Sequence, residues 1–294
     1  MVFGFADSGF RPDDDIPDLS GKVILVTGGN SGLGQESVLQ LAKHNPSQIF
    51  LAARSPDKGQ AAIHNIKEVV PKANITFLQL DLTSFASIVE AAKVVNSSVS
   101  RLDILMNNAG IMMTPPGTTK DGYEIQFSTN HMGHALLTSL LLPKLLSTAE
   151  EVNADVRIIT LSSVGHLWAP KGGLQLETRY GQSKLANILY SIELSRRYPA
   201  IRCVSVHPGS VKTGLSRGLK ESYPFAAPWT GLYSLNVQQG TLNQLWAATS
   251  KKAETGKYYN PVAVEVPGSE YAQDLGLGKK LWDFTGAELV KFAS

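Results

Sequence analysis

Six short apolar runs recur along the chain, and a longer stretch of helical periodicity separates most of them from the next. They are residues 22–27 (KVILVT), 48–53 (QIFLAA), 74–82 (NITFLQLDL), 103–106 (DILM), 156–162 (VRIITLS) and 201–207 (IRCVSVH). Most are near-continuously apolar rather than alternating. Such runs suit strands buried on both faces, as in a parallel sheet. Helices are expected at residues 33–44, 58–70, 85–97, 123–146 and 180–197. The alternation implies an α/β fold with a doubly wound parallel sheet. A final run, residues 257–263, is expected as an edge strand, because Pro261 cannot donate to a central ladder.

Composition narrows the functional classes. The chain has 294 residues, with no internal repeat and no linker that divides it. Residues 1–20 read as an N-terminal extension and 21–294 as a single domain. Lys plus Arg number 27 and Asp plus Glu 25, a formal net charge of +2. That balance gives no electrostatic reason to expect nucleic acid or an anionic membrane. The single cysteine, Cys203, excludes an intramolecular disulfide and a cysteine-based zinc site. No apolar stretch reaches the roughly 18 to 20 residues of a membrane helix. Five aspartates within the first 18 residues argue against a signal peptide, so a cytoplasmic protein is expected.

The first strand runs into Thr27-Gly28-Gly29-Asn30-Ser31-Gly32-Leu33-Gly34. Glycines at such a turn let the backbone bend sharply and approach a pyrophosphate. The helix that follows offers its N-terminal amides to the same phosphates. A glycine-rich turn alone is weak evidence, but its place after the first strand of a βαβ unit strengthens it. Asn107-Asn108-Ala109-Gly110 follows the fourth run, Tyr180 and Lys184 stand four residues apart, and Pro208-Gly209 follows the sixth run.

In order and spacing these motifs resemble the classical short-chain dehydrogenase/reductase family, over about residues 20–215. Around Tyr180-Gly-Gln-Ser-Lys-Leu-Ala-Asn the chain is most similar to the retinol dehydrogenase and WW-domain oxidoreductase branch, without an N-terminal anchor or a WW domain. The resemblance implies a Rossmann-type sheet and a nicotinamide cofactor. Gly28, Asn30, Ser31, Gly32, Leu33 and Gly34 would hold its phosphates, with Asn108, Ala109 and Gly110 beside it. Asp81 and Leu82 match an adenine-contacting pair, although Asp81 also suits a helix cap. Pro208, Gly209, Val211 and Thr213 match positions along the carboxamide and phosphates. Relatives are often dimers or tetramers, which leaves a homodimer or homotetramer open.

Arg54 ends the second run, 20 residues after Gly34. An acidic residue there would bind the ribose hydroxyls of NAD. Arg54-Ser55 offers a cation and a hydroxyl instead, which suits a 2′-phosphate and hence NADP(H). Asp57 nearby keeps NAD open.

Four residues are expected to carry the chemistry. Tyr180 and Lys184 share a helix face. Bringing tyrosine from its ordinary pKa of about 10 to near 7 takes on the order of 4 kcal/mol of phenolate stabilisation. A neighbouring ammonium and an oxidised nicotinamide ring can supply it. Tyr180 then serves as general acid in reduction and general base in oxidation. The resemblance adds contacts from Lys184 to the nicotinamide ribose. Ser162 and Ser163 end the fifth run, and one hydroxyl should hold the substrate carbonyl. The family pattern matches Ser163. Asn130 matches the family's fourth catalytic position, supporting a proton relay from Lys184. His131 and His134 share a helix face but have no acidic or cysteine partner at ligand spacing, so ordinary packing is expected and no metal.

Two other classes fit the residues less well. A cofactor-binding sensor without catalysis would typically lack the Tyr or Lys kept here. A sugar-nucleotide epimerase would show a different glycine spacing and a longer C-terminal domain. The aromatic and Pro-rich stretch after Thr213, about residues 212–235 and including Trp229, reads as a substrate lid. Met112 and Trp168 on neighbouring loops would complete an apolar wall. The expected substrate is a lipophilic small-molecule carbonyl or alcohol.

Overall fold

The apolar runs form one sheet in the computed structural model, which describes residues 8–174, 179–212 and 235–292. The strands are β1 (Val23–Thr27), β2 (Gln48–Ala53), β3 (Ile75–Gln79), β4 (Ile104–Asn107), β5 (Arg157–Leu161), β6 (Arg202–Val206), β7 (Tyr258–Asn260) and β8 (Val264–Glu265). Their order across the sheet is β3-β2-β1-β4-β5-β6-β7-β8. The first seven run parallel and β8 antiparallel. The order reverses between β1 and β4, so the loops leaving their carboxyl ends diverge and open a crevice there.

Among the described residues, the helices of more than ten residues are α1 (Gly32–Ala42), α2 (Pro56–Val69), α3 (Phe85–Ser98), α4 (Gly133–Ala149), α5 (Arg179–Arg197), α6 (Val237–Thr249) and α7 (Leu275–Leu289). Alternation along β1 shows how the sheet is covered. Val23 and Leu25 point into a core shared with α3, α4, α5 and α7. Ile24 and Val26 point into a second core shared with α1, α2 and α6. Both faces are therefore buried, which is why the strands read as unbroken apolar runs. Ile16 and Leu19, ahead of β1, are buried in the second core.

Two elements differ from the sequence reading. The strand expected at residues 257–263 is only Tyr258–Asn260, and it lies inside the sheet between β6 and β8. It ends one residue before Pro261, so the missing amide never meets the ladder. The helix expected at residues 123–146 is broken near its start. A short turn, Ile125–Phe127, passes into a π-helical segment, Ser128–Met132, before α4 begins.

Candidate functional site

The glycine-rich turn is set by backbone crowding. Gly28 and Gly32 adopt φ of +67° and +53°, the left-handed region open to glycine. A Cβ on Gly34 would fall 2.3 Å from the Gly28 carbonyl oxygen and 2.6 Å from Asn108 Nδ2, so nothing larger fits. Ser31 takes the N-cap position of α1 in extended backbone, and its side chain makes no capping bond. The first-turn amides of α1 thus remain available to an anion. Close backbone, uncapped amides and a half-buried Asn30 together fit a dinucleotide pyrophosphate.

The turn is braced from behind. Thr27 Oγ1 accepts the N–H groups of Asn108 and Ala109, each at 3.0 Å. Asn108 Nδ2 donates to the Thr27 carbonyl at 2.7 Å. Gln244, on α6, lies within hydrogen-bond reach of Ser37 Oγ (2.6 Å) and Asn108 Oδ1 (3.2 Å). Sequence reasoning missed Gln244, because α6 itself was not foreseen.

Arg54 is exposed at the end of β2 and has no ion pair or hydrogen bond from its side chain to the described residues. Its guanidinium is thus free to meet a phosphate. Ser55 caps α2 by accepting from Lys58 N at 3.5 Å, a long bond. Asp81 does not cap the next helix; Ser84 does. Asp81 Oδ1 instead accepts from the amide and hydroxyl of Thr83, at 3.0 and 2.7 Å. The Leu82 side chain is buried, and a Cβ on Gly133 would meet it at 3.2 Å.

At the carboxyl end of β5 the two serines part. Ser162 is buried and donates to the carbonyl of Lys184 at 2.7 Å. Ser163 opens a 3-10 turn, Val164–Trp168, and its Oγ accepts from Gly165 N at 3.0 Å, on the side of Gly165 where the Tyr180 ring lies. The Tyr180 ring lies over Gly165, where a Cβ would come within 2.7 Å of Cε1. Burial pushes the Tyr180 phenol up from its ordinary value, and the neighbouring Ser163 hydroxyl works against that. Lys184 Nζ sits 5.7 Å from the Tyr180 ring centroid and donates to the Leu161 carbonyl at 3.0 Å. Burial pulls its ammonium down to about 8.

Asn130 lies in the π-helical segment. Its Oδ1 accepts from Ile111 N at 2.8 Å, and its Nδ2 reaches Ile111 O and Ser183 Oγ, both at 3.0 Å. Gly110 lies between Asn130 and Lys184: a Cβ there would be 3.1 Å from Asn130 Oδ1 and 3.5 Å from Lys184 Nζ. Ser163, Asn130 and the Tyr180–Lys184 pair, from three separate stretches of the sequence, thus meet in one place beside the β4 loop.

Around them, Met112 is half-buried and Trp168 is 58% exposed, next to Leu167 at 52%. Pro208 is half-buried, and Gly209 adopts φ of +88°. Val211 pairs with Leu235, and a Cβ on Gly240 would meet it at 2.3 Å, close to Leu33. Thr213 and Trp229 lie outside the described residues, as does the expected lid apart from Lys212 and Leu235. Two buried groups were not singled out from sequence as site residues. Tyr258 Oη and His207 Nδ1 have no hydrogen-bond partner. Burial pushes the Tyr258 phenol up, with Tyr180 adding to it. Among the described residues there is no group of side chains that could hold a metal and no helix able to cross a membrane.

Residues 22–224 match the family model described as short chain dehydrogenase. A short-chain dehydrogenase/reductase of Aspergillus calidoustus is 37% identical, covering 94% of this chain and 96% of its own. One from Armillaria gallica is 39% identical, covering 94% and 92%. Among solved structures, the NADPH-bound carbonyl reductase from chicken fatty liver superposes with a TM-score of 0.65 at 27% identity. That match covers 83% of this chain and 98% of the other.

Proposed function

The chain belongs to the short-chain dehydrogenase/reductase family, and from that premise we propose an NADP(H)-dependent oxidoreductase interconverting a carbonyl and an alcohol on a lipophilic substrate. Membership makes it an NAD(P)-linked oxidoreductase. The observation that carries the finer reading is the meeting of Ser163, Tyr180, Lys184 and Asn130 beside a glycine cradle.

In this reading the cradle from Gly28 to Gly34 and the amides of α1 hold the cofactor's pyrophosphate. Asn108, Ala109 and Gly110 flank it, with Asp81 and Leu82 toward the adenine and Pro208, Gly209, Val211 and Thr213 on the far side. The free guanidinium of Arg54 takes the 2′-phosphate. The carbonyl reductase named above carries NADPH, which supports that choice. The bound dinucleotide supplies or accepts the hydride. Ser163 holds the substrate oxygen by hydrogen bond. Tyr180 Oη gives that oxygen its proton in reduction and removes it in oxidation. Lys184 favours the phenolate by its charge and steadies the ribose. Asn130 holds the β4 loop against Lys184 and supports replenishment of the proton.

The apolar side chains Met112, Leu167, Trp168 and Trp229 support a greasy ligand. The stretch at residues 180–187 supports placement beside the retinol dehydrogenases. Cofactor choice is tested by Arg54→Asp. That change removes an Arg–phosphate contact and adds repulsion, a loss of about 2 to 3 kcal/mol. The ratio of kcat/KM for NADPH to that for NADH should fall by at least about thirtyfold, the equivalent of that loss. A native enzyme equally efficient with both cofactors would count against Arg54 as the 2′-phosphate partner.

A further inference from the structure

His134, the second residue of α4, lies one turn on from Asn130; it is only 3% exposed, and the mechanism above does not use it. Its two ring nitrogens reach two different parts of the site. Nδ1 lies 3.1 Å from the Asn130 carbonyl, and Nε2 lies 2.9 Å from Thr27 Oγ1. A carbonyl can only accept, so Nδ1 carries the proton. Nε2 of the neutral ring then accepts, and the Thr27 hydroxyl donates to it. That hydroxyl also lies 3.4 Å from the Met106 carbonyl, a longer contact competing for the same proton. The Thr27 oxygen remains free to accept the amides of Asn108 and Ala109.

These bonds close on themselves. From Thr27 the path runs to Asn108 and Ala109, along the β4 loop to Ile111, and through paired hydrogen bonds to the Asn130 side chain. The carbonyl of Asn130 leads to His134, and His134 leads back to Thr27. The closure spans the π-helical turn. Gly133 N bonds to Ser128 O, so the ladder slips by one residue and has one carbonyl more than it has amides. Burial pulls His134 down to about 4, with Lys184 adding to it, and this favours the neutral ring that the pattern requires.

We propose that His134 is a positioning residue: as the Nδ1–H tautomer it closes a hydrogen-bonded ring that fixes the loop at residues 108–111 between the glycine cradle and Asn130. The inference rests on the reading of Asn130 and of the cradle given above. Each nitrogen serves one side. The Nε2 bond holds the cofactor side through Thr27, and the Nδ1 bond holds the proton-transfer side through Asn130.

Two conservative variants separate the sides. His134→Gln can place an amide near the Nε2 position, and His134→Asn near the Nδ1 position. NADPH dissociation constants are measured by fluorescence titration, and kcat is measured with tetralone at saturating NADPH. His134→Gln should lower kcat by about threefold to tenfold, the scale of one lost hydrogen bond, and weaken NADPH binding less. His134→Asn should show the reverse. Equal losses in both quantities, or no loss in either variant, contradict the proposal. NADPH affinity is read without turnover, so this arm stands even if Tyr180→Phe proves active and the catalytic reading fails.

Discussion

Tyr180 and Lys184 share one buried helix face, and burial moves them in opposite directions. It raises the phenol, with the Ser163 hydroxyl opposing, and lowers the ammonium to about 8. Sequence spacing alone suggested a depressed tyrosine. The pair is legible from spacing, but Lys184 spends part of its charge on the Leu161 carbonyl, which no sequence pattern reveals. In the proposed mechanism, carbonyl reduction needs Tyr180 protonated and Lys184 charged. Both conditions hold below about pH 8, and the second is lost above it as Lys184 releases its proton. A pH profile of kcat/KM for reduction should therefore be level at lower pH and fall above about 8. A rate still level at about pH 10 would show that the ammonium is not required. The residues alone did not choose between Ser162 and Ser163; only the family pattern pointed to Ser163. The choice depends on which way each hydroxyl points at the end of β5, and Ser162 turns to the backbone of α5. His134 read as ordinary packing because its partners, Thr27 and the Asn130 carbonyl, carry no sequence signature of their own.

At the scale of elements, unbroken apolar runs revealed the strands β1 to β6, and helical periodicity revealed the helices α1, α2, α3 and α5. It missed α6 and α7. The first, VQQGTLNQLWAAT, mixes glycine and polar residues on faces that tertiary contacts bury. The second, LGLGKKLWDFTGAEL, contains three glycines, poor helix formers by themselves. The π-helical turn was also illegible, since its sequence suits an α-helix equally well. Helix α7 nonetheless braces the site. Trp282 stacks on Tyr190 of α5 with ring centroids 5.0 Å apart, and the Arg197 guanidinium lies 4.6 Å from its ring. Thr285 pairs with His131 at 3.1 Å, next to Asn130, and Glu288 accepts from the Tyr123 hydroxyl. Trp282→Ala should cost about 2 kcal/mol in urea denaturation, below the cost of a fully buried tryptophan because Trp282 is only half-buried. An unchanged midpoint and slope would show that α7 merely lies against the domain.

Across the whole molecule, the sheet does two separate jobs at its two ends. Near the amino ends, buried Asp103 accepts from Lys22, Arg101 and the Val23 amide, tying β1 to β4 away from the crevice. At the carboxyl ends, the glycine cradle and the four converging side chains meet where the strand order reverses. The unbroken apolar runs made this architecture legible, because strands covered on both faces leave no polar positions to blur the pattern. Substrate identity was not legible in the same way, since an apolar wall selects by shape rather than by named contacts. The expected lid bears on this, and it lies outside the described residues apart from its two ends. Tyr180 is proposed to carry the proton in an NADPH-linked carbonyl reduction. The decisive experiment follows NADPH absorbance with tetralone, a steroid ketone and retinal, in the native protein and in Tyr180→Phe. The native protein should consume NADPH, and turnover in the variant should fall by at least about a hundredfold while NADPH affinity stays within about twofold. Turnover in Tyr180→Phe equal to that of the native protein would rule out this role.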